Sequence, residues 1–179
     1  LLVFLDISKA FDRVWHRGLL FKLRRLGVGD SLIGWFSDYL TGRSQRVVIN
    51  NTSSTEGDIK AGVPQGSILG PLLFLIYVND MMDGLESDPH MYADDTSLLE
   101  IVRTSLQDSI SKLNRDLERI YNWSLLWRVK FNPSKTFFLK ISNKRRGLDY
   151  PDIIMNNVII NEVEKFNLLG IVLYNKLNW

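Results

Sequence analysis

The sequence predicts an α+β fold, a mainly antiparallel sheet with helices packed on one face. Short apolar runs suited to strands lie at 1–5, around 91–99 and towards the C-terminus. Between them, apolar residues recur at spacings of three and four, the mark of helices with one buried side. The resulting order is strand, helices, strand, loop, helix, hairpin, helix, strands. That order suits a sheet built largely from hairpins.

Each element has its own signal. Residues 1–5 are continuously apolar and end in Asp6, so they read as a buried strand with a carboxylate at its tip. A helical stripe at positions 15, 19, 20, 23 and 26 predicts a helix over 12–26, closed by Gly27. A second short helix is expected over 31–40, stopped at Gly42, then a strand over 46–50 and a polar turn at Asn50-Asn51.

Residues 59–66 read as a Gly- and Pro-containing loop. A very apolar helix follows from Ser67, a plausible N-cap, with Pro71 near its first turn where proline is tolerated. Residues 91–99 read as two short strands around Asp94-Asp95. Leu106, Ile110, Leu113, Leu117, Ile120 and Ser124 mark a long amphipathic helix over 105–127. Further strands are expected at 136–141, 158–160 and 166–173, with a basic turn at 144–147.

Composition excludes some chemistry. The chain of 179 residues is 45% hydrophobic and 23% charged, as expected of a folded domain with a core. It has no cysteine and two histidines, His16 and His90, so a thiolate or imidazole metal site is not expected and any cation should be a hard one held by carboxylates. The net charge of +2 divides into an acidic first hundred residues and a basic remainder. That division fits either a nucleic-acid face beside an acidic centre or ordinary surface charge. The longest apolar run, 68–78, contains Pro71 and is too short to span a bilayer, so no membrane association is expected. The chain opens on Leu-Leu-Val-Phe-Leu-Asp without a Met or a basic leader and stops at Trp179, which suggests truncation at both ends.

The chemistry centres on the acids. Asp94-Asp95 alone reads equally as a polar hairpin turn. If the strands at 1–6 and 91–99 are neighbours, however, Asp6 and Asp94 converge on one edge. Two carboxylates ~4 Å apart repel by roughly 4 kcal/mol at an effective dielectric of about 20. A divalent cation relieves that repulsion, and oxygen ligands with positions left for phosphate suit Mg²⁺. Such a pair can hold two metals for phosphoryl or nucleotidyl transfer.

Five segments carry a family resemblance. Phe4-Leu-Asp6-Ile-Ser-Lys-Ala-Phe11-Asp12 is similar to motif A of reverse transcriptases, Gly62-Val-Pro-Gln65-Gly66-Ser-Ile-Leu-Gly70-Pro to motif B, and Tyr92-Ala-Asp94-Asp95 to motif C. Lys130-Phe-Asn-Pro-Ser-Lys135-Thr136 resembles motif D. Phe166-Asn-Leu-Leu-Gly170 with Leu177-Asn-Trp179 resembles motif E. The wording of motifs A and B looks closest to non-LTR (LINE-type) retrotransposons of the jockey-like kind. Phe137-Phe138 after Lys135-Thr136, and Leu173-Tyr174-Asn175 after the motif E glycine, depart from the usual family pattern.

The resemblance implies a polymerase palm over 1–179, with fingers, thumb and an endonuclease domain lying elsewhere in the same polyprotein. It implies an RNA-directed DNA polymerase using an RNA template, a DNA primer and dNTPs, with two Mg²⁺ ions for which Mn²⁺ can substitute, in an intracellular and specifically nuclear setting. By residue, it makes Asp6 and Asp94 direct metal ligands, the Ile7 carbonyl an additional one, and Asp95 the third acid of the triad. Phe11 matches the steric gate against a ribose 2′-hydroxyl, Gln65 and Gly66 the loop against nucleotide and template, and Lys135 a proton donor to pyrophosphate. On the residues alone, Phe11 also reads as core, Gln65-Gly66 as a simple turn, Lys135 as a solvated lysine and Asp12 as a helix N-terminal acid. Alternatives in function are an RNA-dependent RNA polymerase palm, suggested by the Asp6–Asp12 spacing, a group II intron maturase, or an incompetent remnant.

Overall fold

Leu2 to Leu5 are all buried, and so apolar a run is stable only as an inner strand covered on both faces. In the computed structural model, which describes residues 1–142 and 150–176, it is the middle strand of the largest sheet. The elements in chain order begin with β1 (Leu2–Asp6), α1 (His16–Arg25) and α2 (Asp30–Leu40). Four two-residue strands follow, β2 (Ser44–Gln45), β3 (Val48–Ile49), β4 (Thr52–Ser53) and β5 (Gly57–Asp58). Next come α3 (Leu69–Val78), β6 (Asp88–Tyr92), β7 (Asp95–Leu99), α4 (Leu106–Leu126) and β8 (Phe137–Leu139). The last are β9 (Ile154–Met155), β10 (Val158–Ile159), β11 (Asn161–Val163), β12 (Lys165–Leu168) and β13 (Ile171–Tyr174). Helices with mainly antiparallel pairing are the α+β class that the sequence predicts.

The chain forms two compact units. The first comprises Leu1–Ser8, Met81–Leu126 and the residues from Lys130 onwards. Its sheet has the order β11-β8-β1-β7-β6, antiparallel except where β11 runs parallel to β8. On one face Leu2, Phe4 and Leu139 pack with Phe166, Leu168 and Leu173 of the β12–β13 hairpin, Phe4 stacking on Phe166 at 3.7 Å. The other face, with Val3, Leu98 and Phe138 in register, is also buried. The α4 stripe of Ile110, Leu113, Leu117 and Ile120 is wholly buried, as its periodicity requires. Asp116 lies on that stripe, completely buried, and accepts the backbone N–H groups of Glu86 and Ser87 at 2.9 and 2.8 Å.

The second unit is Lys9–Asp80 with Trp127–Val129. Lys22 of α1 is buried there. Its ammonium donates to the Tyr77 carbonyl at 2.5 Å and to the Asp80 carboxylate, and lies 3.8 Å from the Trp127 ring centroid. The Tyr77 hydroxyl donates to the Trp127 carbonyl, and burial pushes that phenol up to about 12. The helix expected from Ser67 begins at Leu69 with Ile68 as its N-cap, and Ser67, just before it, accepts the Gly70 N–H through its Oγ at 2.9 Å.

Three further boundaries differ from the sequence prediction. The helix expected over 12–26 begins only at His16, after a separate 3-10 turn at Phe11–Arg13, because the Val14 carbonyl is engaged by the Gly62 N–H at 2.8 Å. The strand expected over 166–173 is a hairpin. Leu169 and Gly170 at φ 50° and 84° make its two-residue turn, and both positions need left-handed backbone. The strand expected over 46–50 is part of a longer hairpin that turns at Asn50 and Asn51, both at positive φ. The predicted basic turn at 144–147 and the Leu177–Trp179 part of motif E lie outside the described residues. Among the described residues, no helix is long and apolar enough to cross a membrane.

Candidate active site

The acids meet at one end of the first unit's sheet. β1 leaves the core at Asp6, whose side chain is 36% exposed, directly opposite Asp95 on β7. The Glu100 N–H bonds the Leu1 carbonyl at 2.9 Å, which makes Leu2/Leu99 a non-hydrogen-bonded pair. Counting by twos along the register, Asp6/Asp95 is one too. The side chains of such a pair share a face with Cβ atoms about 4.5–5.5 Å apart, and like charges there repel.

Asp94 occupies the turn between Tyr92 and Asp95, preceded by Ala93 at φ 54°. A left-handed Ala costs roughly 1–2 kcal/mol, so the turn is held open by the strands on either side of it. The sequence has Asp6 and Asp94 converging on one edge; the register puts Asp95 directly opposite Asp6, with Asp94 next to it in the bend. Their mutual effect is visible at Asp95. Its carboxyl is held above the usual carboxylate range, by desolvation first and then by the charges of Asp94 and Asp6.

Lys135 reaches the same place. Its Nζ is 3.9 Å from Asp6 Oδ1, with the lysine side chain 66% exposed. Asn132, which the sequence reading passed over, positions it. The Asn132 N–H donates to the Asp6 carbonyl at 2.8 Å, and its carbonyl accepts the Lys135 N–H at 3.1 Å and the Thr136 hydroxyl at 2.9 Å. Asn132 Oδ1 accepts from the Ser134 N–H and hydroxyl at 3.2 and 2.7 Å, closing an Asx turn that Asn-Pro-Ser could have signalled. Ile7 forms an antiparallel bridge with Phe131. The bonds flanking it run from Ser8 to Lys130 and from Asn132 to Asp6, so the Ile7 carbonyl takes no part in that ladder.

Phe11, Gln65 and Gly66 belong to the second unit. Phe11 is half-buried and stacks on buried Phe74 of α3 at 4.7 Å, so one side of its ring is packed. The Val63 N–H donates to the Phe11 carbonyl at 2.8 Å, tying the 62–66 loop to the Phe11 turn. Gly62 has φ 96°, and a Cβ there would lie 2.9 Å from the Asp12 backbone, so only glycine fits this approach. Gln65 and Gly66 are exposed, with Gly66 at φ 81°. Asp12 is exposed in the 3-10 turn rather than at the start of α1, and its Oδ1 accepts from Gln65 Nε2 at 3.2 Å.

Whether the acids fit a cation can be judged from their chemistry. Among the described residues no three His, Cys, Asp or Glu side chains form a ready-made metal cage. The donors at the sheet end are oxygen only, and they repel one another enough to raise Asp95. Mg²⁺ is ordinarily held by one or two carboxylates together with substrate phosphates, not by an all-protein cage. Asp6, Asp94 and Asp95 therefore fit a hard divalent ion whose remaining ligands come with the substrate.

The acidic sheet end and the glycine-bearing loop agree with comparison to known proteins. The family model described as "Reverse transcriptase (RNA-dependent DNA polymerase)" matches residues 1–173, and the chain belongs to that family. The RNA-directed DNA polymerase from mobile element jockey of Drosophila funebris is 33% identical over 98% of this chain and 20% of its own length. The jockey enzyme of Drosophila melanogaster is 34% identical over the same shares. The probable RNA-directed DNA polymerase from transposon X-element of Drosophila melanogaster is 32% identical over 99% of the chain and 20% of its own length. The chain thus spans about a fifth of the length of these relatives.

Proposed function

We propose that this chain is the catalytic palm of an RNA-directed DNA polymerase from a non-LTR retrotransposon, extending a DNA primer with dNTPs on an RNA template. The observation that carries the reading is the meeting of Asp6, Asp94 and Asp95 at one sheet end within a reverse transcriptase family sequence. Fingers, thumb and endonuclease functions are placed outside these residues, in keeping with relatives about five times as long. The nucleus is the setting this subfamily implies.

Asp6, Asp94 and Asp95, with the Ile7 carbonyl, would hold two Mg²⁺ ions, or Mn²⁺ in their place. When bound, these ions favour the attacking form of the primer 3′-hydroxyl and neutralise charge on the departing pyrophosphate. Lys135, held near Asp6, supplies the proton that the pyrophosphate takes up as it leaves. Phe11 fills the space that a ribose 2′-hydroxyl would need, its ring braced by Phe74. Gln65 and Gly66 lie against the nucleotide and the template base.

The test is primer extension on an RNA template by a polymerase that carries this region with its fingers and thumb. Asp6→Asn and Asp94→Asn should each abolish Mg²⁺-dependent synthesis. Extension near the wild-type rate by either variant overturns the assignment. Residues 1–179 alone should not polymerise, because reactants left unpositioned forfeit a proximity effect of about 7–11 kcal/mol.

A further inference from the structure

We infer that Asp12 is a positioning residue that fixes which end of the Gln65 amide faces the nucleotide, an assignment that rests on the proposed role of Gln65. A carboxylate only accepts hydrogen bonds, so the contact at 3.2 Å between Gln65 Nε2 and Asp12 Oδ1 commits the NH₂ group to Asp12. The Gln65 carbonyl oxygen is then the end left to face outward. It accepts hydrogen bonds and cannot donate them, so Gln65 is set to receive a hydroxyl or amino donor from the nucleotide. Without Asp12, neither the orientation of the amide nor the place of the side chain is fixed, and most of its conformers present the nucleotide with the wrong group or with none.

The loop carrying Gln65 is held closely enough for this orientation to matter. His16 is buried, and its Nε2 lies 2.7 Å from the Gly62 carbonyl. Because a carbonyl cannot donate, that nitrogen carries the proton. The Gly62 N–H donates to the Val14 carbonyl and the Val63 N–H to the Phe11 carbonyl, each at 2.8 Å. Three bonds thus fasten the base of the loop to 11–16, and Asp12 acts on the one side chain beyond them. The short 3-10 turn brings Asp12 within reach of Gln65, 53 residues further on in the chain.

The experiment is steady-state extension by the active polymerase containing this chain, comparing Asp12→Ala, Asp12→Glu, Gln65→Ala and the Asp12→Ala/Gln65→Ala double variant. Asp12→Ala should raise KM for dNTP about five- to tenfold, tenfold corresponding to ~1.4 kcal/mol, with kcat much less affected. Asp12→Glu, which keeps the acceptor, should recover most of the loss. Asp12→Ala should add nothing in the Gln65→Ala background, since the residue on which it acts is gone. Thermal melting should be unchanged by Asp12→Ala, because the side chain is exposed. Multiplying effects in the double variant, or a fall in kcat with KM unchanged, overturns the Asp12 assignment while leaving the polymerase reading intact. A wild-type protein with fingers and thumb that fails to extend any primer overturns both.

Discussion

Asp95→Asn should make the metal-free protein more stable at neutral pH, and should abolish extension by a polymerase that carries this region with its fingers and thumb. Asp95 faces Asp6 directly across β1 and β7 and has Asp94 beside it, and its carboxyl is held above the usual range by desolvation, then Asp94, then Asp6. A carboxyl whose pKa is raised on folding contributes stability that is fully present below its unfolded value of about 3.9 and is lost as pH rises through the folded value. Above the folded value the wild-type protein has lost that contribution, whereas the uncharged asparagine never had it to lose. Like charges ~5 Å apart repel by about 0.8 kcal/mol at the dielectric of water. Asp95 is exposed, so the gain should fall within the ~0.2–1 kcal/mol typical of cross-strand pairs. That corresponds to a rise in Tm of at most about 2–4 °C for a domain of this size. The assay is thermal melting at low salt with a chelator, at pH 7 and at pH 3. The difference should shrink at the lower pH, where the wild-type carboxyl is protonated. Millimolar Mg²⁺ should stabilise the wild type more than the variant. A variant less stable than the wild type at pH 7 without metal would refute the claim that these acids repel.

Three further outcomes follow from the same geometry. Phe11→Val should raise the kcat/KM for ribonucleotides relative to deoxynucleotides, at a stability cost of roughly 0.5–1.5 kcal/mol for the lost stack on Phe74, beyond the lost burial; both activities falling together with selectivity unchanged would make Phe11 a packing residue only. Lys135→Ala should slow extension by ~10²–10⁴-fold and lower the Mg²⁺ concentration for half-maximal activity, since it removes the cation 3.9 Å from Asp6. A rate within twofold of wild type leaves Lys135 as a surface lysine. Asp116→Ala should destabilise the first unit by about 3–6 kcal/mol in urea melts, given charge-assisted bonds to two backbone N–H groups at roughly 1.5–3 kcal/mol each; a loss under 0.5 kcal/mol would show that Glu86 and Ser87 find other partners.

Much of the fold was legible because its strongest signals are local. The apolar run of β1 and the stripe of α4 depend on neighbours within one turn or strand, and each appears where the sequence puts it. Register is different. Whether Asp94 or Asp95 opposes Asp6 is decided by a one-residue choice of where the hairpin bends, and Ala93 is not a residue that announces left-handed backbone. The Leu169-Gly170 turn escaped notice for the same reason, since leucine hides the turn that glycine alone only hints at. β11, reading Asn-Glu-Val, has no apolar pattern because it is an edge strand that gains its place by pairing with β8.

The buried charges carry a sequence signal that the apolar periodicity alone does not interpret. Asp116 stands three residues after Leu113 and one before Leu117, and Lys22 three after Leu19, so each sits on the apolar stripe of its own helix. A charge at such a position is costly unless something specific meets it. Each is met, Asp116 by the N–H groups of Glu86 and Ser87, Lys22 by Asp80, the Tyr77 carbonyl and the Trp127 ring. The candidate active-site acids differ in kind. They lie at a strand end, partly or fully exposed, with one lysine 3.9 Å from Asp6, and Asp95 is left disfavoured as an anion. Charges that serve the fold are neutralised within it, and these three acids are neutralised only in part. That residual repulsion is what the proposed divalent cation would relieve, and it distinguishes the candidate site from the two structural charges.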